Sequence, residues 1–218
     1  MYSIKMSKLS LKLQTKSLKD METREVFHKN LAGIEYIVLP KVYKGSTDTE
    51  LMCSLLKIGE NFDVWDIGTG TGLIALTAKK LGAKYVLASD YNIDAVNNTR
   101  ENSKVLKLDI DIQHINLFGS IKKKFDLITF NPPFTDNKAV KSHEISFWDN
   151  DHLTVKRFFK DLHNYLKPNG KSLICWSSFA KVNTIKSIAS NYSYKLIEIG
   201  KRKGKMNFIY YVFEVVKL

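Results

Sequence analysis

The 218-residue chain has only two cysteines and four prolines, and far less acid than base. Cys53 and Cys175 sit singly in apolar stretches, so no zinc site can be built from them. They read as buried thiols of a reducing cytoplasm. No apolar run approaches the ~20 residues a membrane-spanning helix needs. The start, MYSIKMSKLSLKLQTK, lacks the apolar segment of a secretory signal. His28, His114, His143 and His163 show no ligand spacing, and WDNDH (148–152) reads as a helix cap rather than a metal site. These absences leave a cytoplasmic protein with no membrane attachment and no metal as the expectation.

Acid is outnumbered, 22 Asp and Glu against 34 Lys and Arg, for a formal charge of +12. Residues 1–45, Lys122–Lys124 and the KRKGK turn (201–205) carry much of the excess base. Such a field favours an acidic macromolecular partner: RNA, DNA, the ribosome or an acidic protein face.

From residue 47 the chain alternates helical and strand patterns. TDTELMCSLLKI (47–58) places Leu51, Leu55 and Ile58 on one helical side. Strands are predicted at 63–67, 85–90, 111–115 and 125–130, with helices over 73–81 and 92–106 between them. A helix over 152–166, capped from Asp149–Asp151, leads to a PNG turn (168–170) and a strand over 171–176. A helix over 182–190 precedes two runs, 194–199 and 207–216, that read as an antiparallel hairpin. This order implies an α/β fold with a doubly wound, mostly parallel sheet ending in that hairpin. Residues 1–35 read as a basic extension and 36–218 as the domain.

DIGTGTG (66–72) is a strand-to-helix turn with Gly68, Gly70 and Gly72. Glycines there permit positive φ and close backbone approach to a ligand. The third glycine comes one residue too early for the dinucleotide fingerprint GxGxxG. Asp66, two residues before the first glycine, would repel a pyrophosphate but could hold a cationic amino-acid head, directly or through water. Asp90, followed by Tyr91, ends the next strand, where a carboxylate can take both ribose hydroxyls. A ribose and an α-amino group without phosphate describe S-adenosylmethionine (SAM), with Thr69 in the same turn.

FDLITFNPPF (125–134) places two of the four prolines together at a strand exit. Proline lacks an N–H and fixes φ, and it pushes the preceding residue into extended geometry. Carbonyls are left free beside the side-chain oxygen of Asn131. Together they can accept both hydrogen bonds of a planar –NH2 group, an amide or a base amine, and aim its nitrogen at a methyl carbon. Pro132 and Pro133 stiffen the clamp, and Phe134 can pack on a flat acceptor.

The Asp66–Asp90 pattern resembles the class I SAM-dependent methyltransferases, and NPP plus an aromatic resembles their N-methylating members. VYKGSTDTELM (42–52) is similar to the segment preceding the SAM site in HemK-type glutamine methyltransferases, with Val42, Tyr43, Asp48, Thr49 and Leu51 keeping the spacing. Gly45 and Lys44 stand where that family usually has a proline and an acid. The resemblance implies a seven-stranded Rossmann-like sheet, SAM as methyl donor with S-adenosyl-L-homocysteine as product, and Asn116-Leu117 beside the adenine. It also implies that a small partner subunit can accompany the enzyme. Three functions follow: methylation of a protein glutamine amide as in release factors, N-methylation of adenine N6 or guanine N2 in RNA or DNA, and a non-catalytic SAM-fold binding module.

Overall fold

A computed structural model describes the backbone of residues 2–218 and the side chains of residues 11–218. The chain opens with α1 (Tyr2–Thr23), which buries Gln14, Leu18 and Met21, a single stripe at helical spacing. Strands β1 (Phe27–Leu31) and β2 (Ile34–Val38) then pair antiparallel. Ala32 and Gly33 turn between them with φ of 54° and 70°, a backbone that matches strand twist in two-residue hairpins. The boundary between residues 35 and 36 that composition suggests falls inside β2. Helix α2 (Thr47–Leu55) starts where expected and ends three residues early, because Leu56 turns extended (φ −62°, ψ 128°).

The main sheet follows the predicted order closely. It is built from β3 (Asp63–Ile67), α3 (Leu73–Lys80), β4 (Tyr85–Asp90), α4 (Ile93–Leu106), β5 (Asp111–His114), β6 (Phe125–Phe130), α5 (Leu153–Asp161), β7 (Leu166–Ser177), α6 (Val182–Asn191), β8 (Tyr194–Lys203) and β9 (Ile209–Lys217). Seven strands run in the order β5-β4-β3-β6-β7-β9-β8. The pairs from β5 to β7 are parallel, whereas β9 runs antiparallel to both β7 and β8. From β3 the chain winds outward through β4 to β5; from β6 it winds the other way. Right-handed crossovers therefore put the two sets of helices on opposite faces. The winding reverses between β3 and β6, and ligands of such sheets bind at that reversal, beyond the strand C-termini.

Two expectations are corrected. Helix α5 stops at Asp161, a 3-10 turn over Leu162–Asn164 follows, and Leu166 already belongs to β7. PNG lies within β7 rather than before it. Phe125 pairs with Leu166 but Leu127 pairs with Lys171, so residues 167–170 bulge out of the ladder. Asn169 takes φ 65°, and a side chain at Gly170 would lie 2.7 Å from the Phe125 carbonyl.

Trp65 anchors the core at 0% exposure, in edge contact with Phe118 and Tyr165 and tilted on Phe125, while its Nε1 donates to Ser89 Oγ at 2.8 Å. Buried apolar side chains from β2, β3, β4, β6, β7, β8 and β9, together with α2, α3, α5 and α6, join one continuous cluster. No helix among the described residues is long and apolar enough to cross a membrane.

Candidate active site

Ile67 and Phe130 are register partners at the ends of β3 and β6. The glycine turn and the Asn-Pro-Pro segment therefore leave neighbouring strands side by side. Gly68, Gly70 and Gly72 have φ of 66°, 59° and 84°. Gly68 lies against the Phe130 ring, where an added Cβ would approach to 3.4 Å. Gly72 faces away from the opening: its Cβ would meet Thr99 of α4 at 2.8 Å. The first and second glycines thus leave room for a ligand, and the third lets a helix pack.

Asp66 is 1% exposed and lies beneath the turn. Its Oδ2 accepts from the Thr69 hydroxyl at 2.7 Å and its Oδ1 from the Thr129 hydroxyl at 2.8 Å. Burial pushes this carboxyl up to about 7, opposed by the two hydroxyl donors. Asp66 braces the glycine turn onto β6 and is absent from the cavity wall. Asp90 does reach that wall. Its Oδ2 accepts from the Gly70 amide and its Oδ1 from the Asn92 amide, each at 2.9 Å. One lone pair on each oxygen stays free for a further donor. Burial raises the Asp90 carboxyl, and the backbone amides pull against that shift.

A cavity of about 290 Å³ runs along this edge. Of the residues singled out from sequence, Tyr43, Thr49, Gly68, Thr69, Gly70, Asp90, Tyr91, Asn116, Leu117, Asn131 and Pro133 line it. Asp66, Gly72, Pro132 and Phe134 do not. Phe134 instead joins an aromatic cluster, edge-on to Trp176 at 5.6 Å and Phe179 at 5.8 Å. At the far end Leu117 holds a left-handed φ of 52°, and Arg157 Nη1 lies 3.5 Å from Asn116 Oδ1.

Asn131 is the most informative residue of the near end. Its Nδ2 donates to Asp48 Oδ2 at 2.7 Å, while its Oδ1 is buried with no hydrogen-bond partner. Asp48, 1% exposed, also accepts on Oδ1 from Ser46 Oγ at 2.5 Å and from the Tyr43 hydroxyl at 3.0 Å. Three donors fix this carboxylate, and the carboxylate fixes which way the Asn131 amide faces. A buried acceptor without a donor is costly, and here it stands at the cavity edge.

Sequence reasoning singled out Tyr43, Asp48 and Thr49 for their spacing but assigned them no role. Ser142, Ile145 and Ser146 of the loop after β6, and Thr154 and Arg157 of α5, also line the cavity. No sequence pattern marked those five. Phe147 of the same loop meets Tyr43 edge-on at 5.4 Å, bringing the two rims of the near end together.

A model of the methyltransferase small domain matches residues 44–203, a span that holds both the glycine turn and the Asn-Pro-Pro segment. The chain belongs to this family. Its members use SAM, so the chain is a SAM-dependent methyltransferase. It is 34% identical over 154 residues to a protein of Methanocaldococcus jannaschii provisionally named a protein N5-glutamine methyltransferase, covering 68% of this chain and 78% of that one. It is 32% identical over 152 residues to the release factor glutamine methyltransferase of Streptococcus pneumoniae, where it spans 63% of this chain and 53% of the relative. Among solved structures, a T. thermophilus 16S rRNA methyltransferase in complex with AdoMet and guanosine shares the fold with a TM-score of 0.67 at 19% identity, over 88% of this chain and 50% of that one. The cavity suits the family's cofactor: a carboxylate held by two backbone amides, two glycines open to close approach, and a far end where Ile115 and Leu117 stand beside Asn116 and Arg157.

Proposed function

We propose that the enzyme methylates the nitrogen of a planar –NH2 group, first of all the side-chain amide of a glutamine in a protein substrate of release-factor type. The unpartnered, buried Oδ1 of Asn131 carries this reading. It is an acceptor held ready for an N–H donor, with its own –NH2 tied back to Asp48. The M. jannaschii and S. pneumoniae relatives, both named for glutamine, support the choice of acceptor.

In this reading Asp90 takes the ribose hydroxyls, Gly68–Gly70 lie along the amino-acid portion, Asn116 and Leu117 border the adenine, and Tyr91 covers the ribose from solvent. Bound there, SAM supplies a methyl on a sulfonium centre. The residues at the near end orient the acceptor. Asn131 Oδ1 takes one amide proton, and a carbonyl kept free by Pro132 and Pro133 takes the other. The nitrogen lone pair, delocalised in a free amide, is thereby turned toward the methyl, and positive charge growing on nitrogen is stabilised by both acceptors. No general base is assigned, because the extra proton can leave to solvent after transfer. Phe134 shapes this clamp from behind.

The +12 charge favours a second reading, an exocyclic base amine of RNA or DNA in the same clamp. Radiolabelled methyl transfer into whole lysate, divided between RNase and protease treatment, separates the two. Label should survive RNase and disappear with protease; the opposite result overturns the glutamine reading. Cytoplasmic residence, supported by two buried free thiols, and an accompanying small subunit belong to the same proposal.

A further inference from the structure

Helix α1 is tied to both segments that frame the acceptor end of the cavity, though none of its described residues lines the cavity. On one side Gln14 Nε2 donates to Thr135 Oγ1 at 2.7 Å, one residue past the Asn-Pro-Pro-Phe segment. Glu22 holds Lys141 at 2.5 Å and the buried His143 ring at 3.1 Å, next to the loop residues that line the cavity. On the other side Asp20 pairs with Lys44 at 3.5 Å, and Arg24, just beyond the helix, donates to the Val42 carbonyl. Helix α1 thus braces the segments around the acceptor end from outside the cavity wall.

Its outer face is of a different kind. The first 19 residues contain five lysines, at 5, 8, 12, 16 and 19, and no acid. The spacings of 3, 4, 4 and 3 keep all five positions in one helical register, a row about 21 Å long at 1.5 Å per residue. Lys12, Lys16 and Lys19 are exposed. None of these three is within ion-pair distance of a carboxylate among the described residues. A second basic group lies around the segment before α2, partly balanced by Asp20, which pairs with Lys44 and Arg24. Lys29, with Lys44, Lys205 and Arg24 around it and half-buried, is lowered to about 8 chiefly by burial and then by Lys44. A surface carrying solvated lysines for solubility alone would intersperse acids. Lysines recurring at helical spacing with no acid between them match a partner with one charge at every repeat, which is the nature of a phosphodiester backbone.

We propose that the outer face of α1 is a docking ridge for the phosphate backbone of RNA, which it holds alongside the acceptor mouth. In the glutamine reading, on which the position of the mouth rests, the acceptor would then be a protein met in association with RNA. An acidic protein docking on the same ridge is the competing source of negative charge.

Fluorescence anisotropy of a labelled mixed-sequence 20-nucleotide RNA on the full chain tests this, with K12Q/K16Q/K19Q set against K80Q/K84Q/K107Q, three exposed lysines far from α1 in sequence. The α1 variant should bind about 10-fold more weakly or worse, and its slope of log affinity against log salt should fall by about 2, as expected for three lost phosphate contacts on a single strand. The control variant should change little. SAM affinity by calorimetry and the melting temperature should be unchanged in both, which separates lost docking from lost fold. Equal weakening in both variants, an unchanged salt slope, or polyglutamate displacing the RNA at equal charge concentration would each overturn the proposal. Failure of the glutamine reading shows differently, as absence of label in protein while RNA binding by the ridge persists.

Discussion

Asp48 and Asn131 are 83 residues apart in sequence and joined by one 2.7 Å hydrogen bond from the amide nitrogen to the carboxylate. That bond decides which end of the Asn131 amide faces the cavity. An asparagine alone can present its oxygen or its nitrogen with similar ease. Beside a carboxylate that only accepts, the nitrogen turns inward and the oxygen outward. The clamp attributed to Asn131 is therefore a property of the pair.

Asp48→Asn tests this division of labour. The substitution keeps the shape of the side chain but offers one acceptor oxygen to three donors, from Tyr43, Ser46 and Asn131. Its own –NH2 group favours a flipped Asn131, whose nitrogen would then face the acceptor. Single-turnover methyl transfer should fall about 100-fold, the scale expected when a reactant is misoriented. SAM affinity should stay within about 2-fold, since Asp48 does not line the cavity and changes of this size are under half a kcal/mol. Unchanged transfer would show that Asn131 orients itself without Asp48. Asn131→Ala should likewise retain SAM and lose transfer, while Asp90→Ala should lose SAM.

Asp66 gives the fold a pH dependence of known sign. Its carboxyl moves from an ordinary 3.8 to about 7 in the folded chain because burial disfavours its charge. Between those values the folded state holds a proton that the unfolded state has released. The stabilisation is fully present below pH 4 and is lost as pH rises through 7. Asp66→Asn cannot ionise, and either hydroxyl, Thr69 or Thr129, can rotate to meet an amide. Denaturation curves at pH 5 and pH 8 should show wild type losing about 2–3 kcal/mol relative to Asp66→Asn, at 1.36 kcal/mol per pKa unit. Parallel pH profiles for the two proteins would mean that Asp66 ionises freely in the fold.

The main sheet was legible because its strands are short apolar runs closed by turn residues, and five buried positions in DVWDI leave little choice of structure. The glycine turn and Asn-Pro-Pro-Phe were legible for a related reason: unusual residues at strand exits have few structural uses. Phe134 shows the limit of that reasoning. Its aromatic character is equally suited to an acceptor and to the Trp176–Phe179 cluster, and only the packing decides. The hairpin β1–β2 was invisible for another cause. FHKNL is half-exposed along its length, and the ties that hold β2 come from asparagines on α4, about 60 residues later. Among the described residues the inner stripe of α1 is Gln14, Leu18 and Met21, with too few apolar side chains to stand out from a lysine-rich helix.

Those α4 ties lead from the hairpin to the cofactor turn. Asn102 is fully buried; its Oδ1 accepts from the Ile37 amide at 2.7 Å, and its Nδ2 donates to the Ile37 carbonyl at 2.9 Å and the Thr71 carbonyl at 2.8 Å. Asn98 repeats the arrangement one turn earlier, with the Leu39 amide and the Ile37 carbonyl. One side chain thus joins β2 to the turn that carries Gly70 and Gly72. Asn102→Ala would leave a buried amide and the Thr71 carbonyl without partners, costing about 2–4 kcal/mol for groups of this kind. Hydrogen exchange should show the Ile37 amide losing protection while Trp65 in β3 keeps it, because β3 is held by β4 and β6 rather than by the hairpin. SAM affinity should weaken at the same time, since Thr71 lines the cavity. If Ile37 stays protected in Asn102→Ala, then Asn98 and the β1 ladder suffice to hold the hairpin, and the tie to the cofactor turn has no energetic weight.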